Sequence, residues 1–160
     1  MGRDVSFFMI LCLLTKHSWK GIMVLLESNM KLIQRKVILE AVYWIEADLS
    51  KFMNTEIVAS QCGYSQYHFQ RLFRDLTGYT LAAYIRARRM TVAARLLREN
   101  NLPVSDIYVQ VGFYEASTFC RVFRRYFGLS PTAFRASYLD FSGFYVEWPD
   151  QLPRLDTTFS

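Results

Sequence analysis

Between Gln34 and Leu49 the apolar positions Ile38, Val42, Ile45 and Leu49 recur at steps of four, three and four, the spacing of one helix face. The same period then returns in shorter stretches separated by glycines. Asn54-Thr55-Glu56 can cap a second helix that carries Ile57, Val58 and Ala59 and stops at Gly63. Ser65 starts a third, closed by Gly78. Thr80 caps a fourth, which runs from Leu81 to about Asn100 with neither Gly nor Pro inside. Pro103 opens a fifth, ended by Gly112; a sixth spans about Glu115 to Phe127 and closes at Gly128. Ser130-Pro131, an N-cap followed by a first-turn proline, opens a seventh. No segment alternates as a strand does, so the predicted class is all-α with about seven helices.

The third and sixth helices carry nearly the same text, FQRLFRDLTG from Phe69 and FCRVFRRYFG from Phe119. At an offset of fifty, Phe69, Arg71, Phe73, Arg74 and Gly78 meet Phe119, Arg121, Phe123, Arg124 and Gly128, and Thr80, Ala83 and Tyr84 meet Ser130, Ala133 and Phe134. Upstream the offset is one less, so Val58, Ala59 and Gly63 meet Ile107, Tyr108 and Gly112. Two copies make a duplication and not a solenoid, which needs three or more.

A helix turns by ~100° per residue. Phe69, Leu72, Phe73 and Leu76 therefore share one arc of the third helix, as do Phe119, Val122, Phe123 and Tyr126 of the sixth. Tyr67, Gln70, Arg71 and Arg74 lie opposite in one copy; Ser117, Cys120, Arg121 and Arg124 do so in the other. A short helix, a Gly turn and a second amphipathic helix make a helix-turn-helix, whose second helix enters the DNA major groove. Arg can grip guanine there and Gln adenine. Arg74 and Arg124, further along, suit phosphates. So do the helix starts at Thr80 and at Ser130 and Thr132, where free N–H groups and the positive dipole end favour anions. The fourth helix, ~20 residues at 1.5 Å each, is ~30 Å long. Adjacent major grooves on one face of DNA lie ~34 Å apart. Such a rod can hold two reading helices in successive grooves of one duplex.

Charge sharpens this picture without deciding it. The 160 residues carry a net +5, unevenly placed. Between Ser65 and Arg135 there are eleven Arg, no Lys and only four acids, Asp75, Glu99, Asp106 and Glu115. That excess suggests a polyanion, nucleic acid before membrane; a solvated basic face without a partner would carry the same charge. The odd cysteines Cys12, Cys62 and Cys120 form neither a disulfide framework nor a zinc spacing, so a reducing cytoplasm is expected. Cys62 falls at a helix end expected to be buried. The two histidines, His17 and His68, stand far apart, and no phosphate loop, metal-ligand spacing or nucleophile elbow occurs. An enzyme and a bound cofactor are therefore not expected.

Both ends differ from the middle. Val5 to Leu14 is a ten-residue apolar run, too short to span a membrane, which takes ~20 residues. No small-residue cleavage site follows it. Residues 1–33 read as a poorly packed extension, and Met30 as a candidate natural start, because regular patterning begins only after it. Residues 138–160 form an aromatic and acidic tail with Phe141, Phe144, Tyr145 and Trp148, which packs back on the core, frays or meets a partner.

GYSQYHFQRLFRDLTGYTLAAYIRARRM followed by GFYEASTFCRVFRRYFGLSPTAFR resembles the DNA-binding module of AraC-type bacterial transcription activators, most of all the short stand-alone MarA, SoxS and Rob group. The likeness covers about Val37 to Tyr138 and includes both units, the joining helix and the closing F-G-x-S-P-x-x-[FY]-R. It implies a DNA-binding domain over 34–137, with a first helix-turn-helix unit at 34–79, a linker helix at 80–100 and a second unit at 101–137. It also implies a cytoplasmic bacterial regulator that binds double-stranded promoter DNA as a monomer and recruits RNA polymerase. The expected base-reading residues are Gln66, Tyr67, Gln70 and Arg71 in the first unit and Ala116, Ser117, Cys120 and Arg121 in the second. The second set departs from its relatives, which are richer in Gln and Thr there. Ala116 and Cys120 cannot read bases by strong hydrogen bonds. Tyr108 also stands where a helix-turn-helix usually wants a small residue. The first unit is thus expected to read and the second mainly to clamp phosphates. About 33 leading residues are too few for an effector-binding domain, so control is expected through abundance. The rival reading is a helical module that contacts polymerase or another regulator without reading DNA. Tyr67, Gln70, Arg71 and Arg74, a usable reading face, speak against it.

Overall fold

The computed structural model describes residues 18–99 and 101–146, with side chains from residue 23 onward. The Val5–Leu14 run, Asn100 and Trp148 lie outside the described residues. Among the described residues seven α-helices follow one another: α1 Ser18–Ala47, α2 Thr55–Gln61, α3 Gln66–Thr77, α4 Leu81–Glu99, α5 Val104–Gln110, α6 Ala116–Phe127 and α7 Pro131–Ala136, then a 3-10 turn at Ser142–Phe144. No strand occurs among the described residues.

The chain divides into two units, residues 1–37 and 38–160. In the first, α1 begins at Ser18, well before the expected Gln34. Its Met23, Val24, Leu25, Leu26, Met30, Leu32 and Ile33 are all exposed. Met, Leu, Lys and Glu are good helix formers, so this stretch is helical by propensity and not by burial. It lacks the one-faced pattern because none of those side chains is covered.

The second unit is built around two cores that share α4. Ile38, Val42 and Ile45 of α1 pack with Val58 and Ala59 of α2, Phe69, Leu72 and Phe73 of α3, and Leu81, Tyr84 and Ile85 at the start of α4. Met90, Ala93, Ala94 and Leu97 further along α4 pack with Ile107, Val111, Phe119, Phe123, Phe127 and Phe134. Half-buried Val92 touches both cores. Helix starts and stops follow local chemistry. The side chains of Asn54, Ser65, Thr80 and Ser130 accept the N–H groups of Ile57, His68, Ala83 and Ala133. α3 and α6 end on Gly78 and Gly128, both left-handed.

Three joints fix the two helix-turn-helix units to each other or to the helix between them. Arg89 on α4 donates to Gly112 O at 3.1 Å and to Lys51 O at 2.8 Å, which ties the second turn to the loop after α1. Arg88 forms a fork on Glu46, 2.8 Å to each carboxylate oxygen, and Tyr84 Oη donates to the same group at 2.9 Å. Burial and the Glu46 charge push the Tyr84 phenol far above its usual range. Finally, residues 138–146 run back over the second unit. Phe141 stacks on Phe134 with ring centroids 4.7 Å apart, and Tyr126 Oη donates to Phe144 O. Val146 then packs on the first core, accepts from Arg88 and donates its N–H to Thr91 Oγ1 at 3.0 Å. The aromatic tail, up to Val146, therefore packs back on the fold and straps the two units together.

Candidate nucleic-acid interface

α3 turns Phe69, Leu72 and Phe73 inward, and this leaves Gln66, Tyr67, Gln70, Arg71 and Arg74 exposed on the other side. Tyr67 is 81% exposed, far more than an amphipathic ring needs to be unless something covers it. Gln70 Nε2 donates to Thr55 Oγ1 at the start of α2, 3.2 Å away, so its carboxamide is already oriented. Arg71 Nε lies 3.9 Å from the Asp75 carboxylate, one turn along. Both groups are exposed and such pairs are weak, so Arg71 is held loosely.

α6 repeats the plan with different chemistry. Ala116, Ser117, Arg121 and Arg124 are exposed. Cys120, which replaces Gln70, is half-buried and leans on the second core. It also lines a hollow of about 510 Å³ together with Arg121, Arg124, Arg125 and Ser130. The structure thus gathers four of the predicted second-unit residues around one concavity. It adds Arg125, which the sequence reading passed over. The signal was present in the repeat: Arg125 stands where the first copy has Asp75, so a carboxylate has become a third arginine. The Ser130 and Thr80 hydroxyls serve as helix caps, and Ser130 Oγ lies 3.2 Å from Thr132 Oγ1. The Ser130–Thr132 corner adjoins the arginine hollow, whereas Thr80 stands exposed at the head of α4.

Tyr108 does not distort the second turn. Phe113 N donates to Tyr108 O at 2.9 Å, as Tyr64 N does to Ala59 O at 3.0 Å, and Gly112 and Gly63 have nearly equal positive φ, 74° and 70°. The larger ring lies along the Phe119 ring, with centroids 6.2 Å apart. Cys62 is half-buried against the first core, and burial pushes its thiol up. His68 is exposed, edge-on to the Tyr64 ring. Among the described residues no group of His, Cys, Asp or Glu is placed to hold a metal ion, and no helix is long and apolar enough to cross a membrane.

A helix-turn-helix domain family matches residues 58–137, half of the chain. The chain belongs to the AraC-type family of DNA-binding transcription regulators. This AraC-type chain is 40% identical over 101 residues to the regulatory protein SoxS of Escherichia coli K12, which covers 63% of the chain and 94% of SoxS. It is 37% identical over 119 residues to the transcriptional regulator Rob of Salmonella typhimurium, covering 74% of the chain but only 41% of Rob. Among solved structures, the DNA-binding domain of AdpA in complex with a target DNA superposes with a TM-score of 0.61 at 32% identity, over 63% of this chain and 91% of that one. An AraC-type regulator from Chromobacterium violaceum gives 0.58 at 27% identity, over 63% and 90%. These relatives are regulators with a DNA-binding fold and not enzymes.

Proposed function

We propose that this AraC-type regulator binds promoter DNA as a monomer and activates transcription by recruiting RNA polymerase in the bacterial cytoplasm. The observation that carries the reading is the pair of outward faces, exposed Gln66-Tyr67-Gln70-Arg71 on α3 and exposed Ala116-Ser117-Arg121 with half-buried Cys120 on α6, joined within one chain by a single helix. α4 has 19 residues, ~28 Å at 1.5 Å rise, against ~34 Å between successive major grooves. One protomer thus presents two half-site readers, with the small difference met by tilt or by bending of the duplex. The faces are unequal. The α3 face offers an oriented amide, an arginine and a ring. The α6 face offers a methyl, a thiol and a cluster of guanidinium groups, which bind phosphate better than they discriminate bases. Arg74 and Arg124, with the Thr80 and Ser130–Thr132 helix starts, complete the backbone contacts.

Selection of bound duplexes from a random library tests the reading. The expected result is one strongly specified half-site and a weakly specified second one about one helical turn away, bound at one protein per duplex. Recovery of no enriched sequence would favour a protein-contact module that does not read DNA. A palindromic site bound by two chains would overturn the monomer.

A further inference from the structure

Where the head of α4 passes α6 the surface opens into a cleft of about 830 Å³. Its lining includes Tyr79 and Arg86 from the first helix-turn-helix unit and its linker, and Arg121, Arg125 and Tyr126 from α6. Val146, the end of the C-terminal strap, borders it as well. No carboxylate is among the lining residues. Arg121 and Arg125 also line the hollow on the reading side of α6, so the two concavities share a wall and the cleft continues the candidate interface.

The arginines of this cleft differ in kind from others on the same helices. Arg88, Arg89, Arg98 and Arg135 spend their guanidinium groups on carbonyl oxygens or on Glu46. Arg86, Arg121 and Arg125 are exposed and make no hydrogen bond or ion pair among the described residues. Arg121 and Arg125 stand four residues apart on one helix, a spacing at which like charges repel. The first copy has an acid at the second of these positions, so the repeat itself does not require the charge. Three guanidinium groups without a partner among the described residues thus gather around one concavity, leaving a positive charge that an anion would offset.

We propose that this cleft is a third DNA contact, in which Arg86 and Arg125 grip phosphodiester groups of the backbone segment between the two half-sites. The inference rests on the two-groove reading above. Its place follows from that reading, because the cleft lies where the first unit's linker meets the second unit's recognition helix. It accounts for Arg86, which belongs to neither recognition helix, and it makes the intervening duplex a part of the site without any base being read there.

The test uses the whole chain and the duplex recovered by selection. Arg86→Gln and Arg125→Gln are compared with the parent across a salt series. Uncharged methylphosphonates are placed either between the half-sites or outside them. Each substitution is expected to lower the salt slope by about 0.9, with the order of preference among half-site variants unchanged. Arg125→Lys is expected to keep the parent slope, because the charge and not the fork matters to a phosphate. Central methylphosphonates should weaken the parent and have little effect on the double variant. Unchanged slopes, or equal sensitivity of parent and double variant to the central methylphosphonates, would overturn the contact while leaving the two-groove reading intact. Saturable binding of inorganic phosphate, lost in the double variant with DNA affinity unaltered, would reassign the cleft to a free anion and overturn the proposal. A chain that selects no sequence at all brings down both readings together.

Discussion

Arg71 and Arg121 occupy the same place in the repeat in opposite electrostatic settings. Asp75 sits one turn beyond Arg71 and pairs with it only weakly; Arg125 sits one turn beyond Arg121 and repels it. A lone arginine beside the oriented Gln70 amide suits a base edge, whereas one within a cluster of arginines suits the backbone. Arg71→Ala should therefore cost about 1–3 kcal/mol on the selected duplex and relax preference at one base pair. An equal loss on random DNA would refute a base contact. Arg124→Ala should weaken all duplexes alike and lower the salt slope by about 0.9; an unchanged slope would remove it from the backbone contacts. Side-chain roles at this scale were only half legible. The outward arc of α3 follows from spacing alone. The charge count, however, treated eleven arginines as one basic surface, and four of them are staples. Arg88 and Arg135, for example, point at Glu46, Leu97 and Leu102. A sequence shows how much charge a segment holds but not which carbonyl or carboxylate lies opposite, since those partners come from elements 23 to 58 residues away.

Among the helix ends, Gly112 stands apart from its three counterparts. Gly63, Gly78, Gly112 and Gly128 all have positive φ, which side chains tolerate poorly, at a cost of about 1–2 kcal/mol. At Gly63, Gly78 and Gly128 an added Cβ would meet open space. At Gly112 it would come within 2.8 Å of Leu49 O, Ser50 O and an Arg89 nitrogen, and two of those are backbone atoms that cannot step aside. Chemical denaturation should show Gly78→Ala and Gly128→Ala losing about 1–2 kcal/mol and Gly112→Ala clearly more. Similar losses at all three would mean that the second turn does not press on the loop after α1. The helix order and caps were legible because Asn54, Ser65, Thr80 and Ser130 act on their own first turns, within three residues. The start of α1 was not. A one-faced apolar pattern marks where a helix buries one side, and between Met23 and Ile33 the apolar side chains of α1 are exposed. The crowding at Gly112 was equally hidden, because it depends on a loop some sixty residues earlier in the chain.

Across the whole second unit, the distance between the two proposed reading faces depends on more than α4. A helix fixes length, but the rotation of each unit about it is set by what bridges them. Here that is Arg89 between two loops, Arg88 on Glu46, and the strap from Tyr138 to Val146. The Arg88–Glu46 pair is largely buried, with side chains 9% and 16% exposed, so removing one partner leaves a desolvated charge. Glu46→Ala should cost about 3–5 kcal/mol, read as a shift of the denaturation midpoint. Within the strap, the Asp140 carboxylate accepts from Ser142 N and Oγ and shapes the turn that presents Phe144. These hydrogen bonds, the backbone one first, hold it below the usual carboxylate range. Its contribution is complete above the unfolded carboxyl value and fades as pH falls through the lower folded value. Deleting residues 139–160 takes the Phe141 ring off Phe134 and the Val146 carbonyl off Arg88, and leaves the sequences of α3 and α6 unchanged. The truncated chain should therefore still prefer the same bases in each half-site. It should lose its preference for one spacing, so that duplexes with a base pair inserted or removed between half-sites are discriminated less sharply than by the full chain. Phe141→Ala should move spacing preference in the same direction to a smaller extent. If truncation lowers affinity for every spacing by the same factor, the strap supports the fold but does not set the distance at which the two units read.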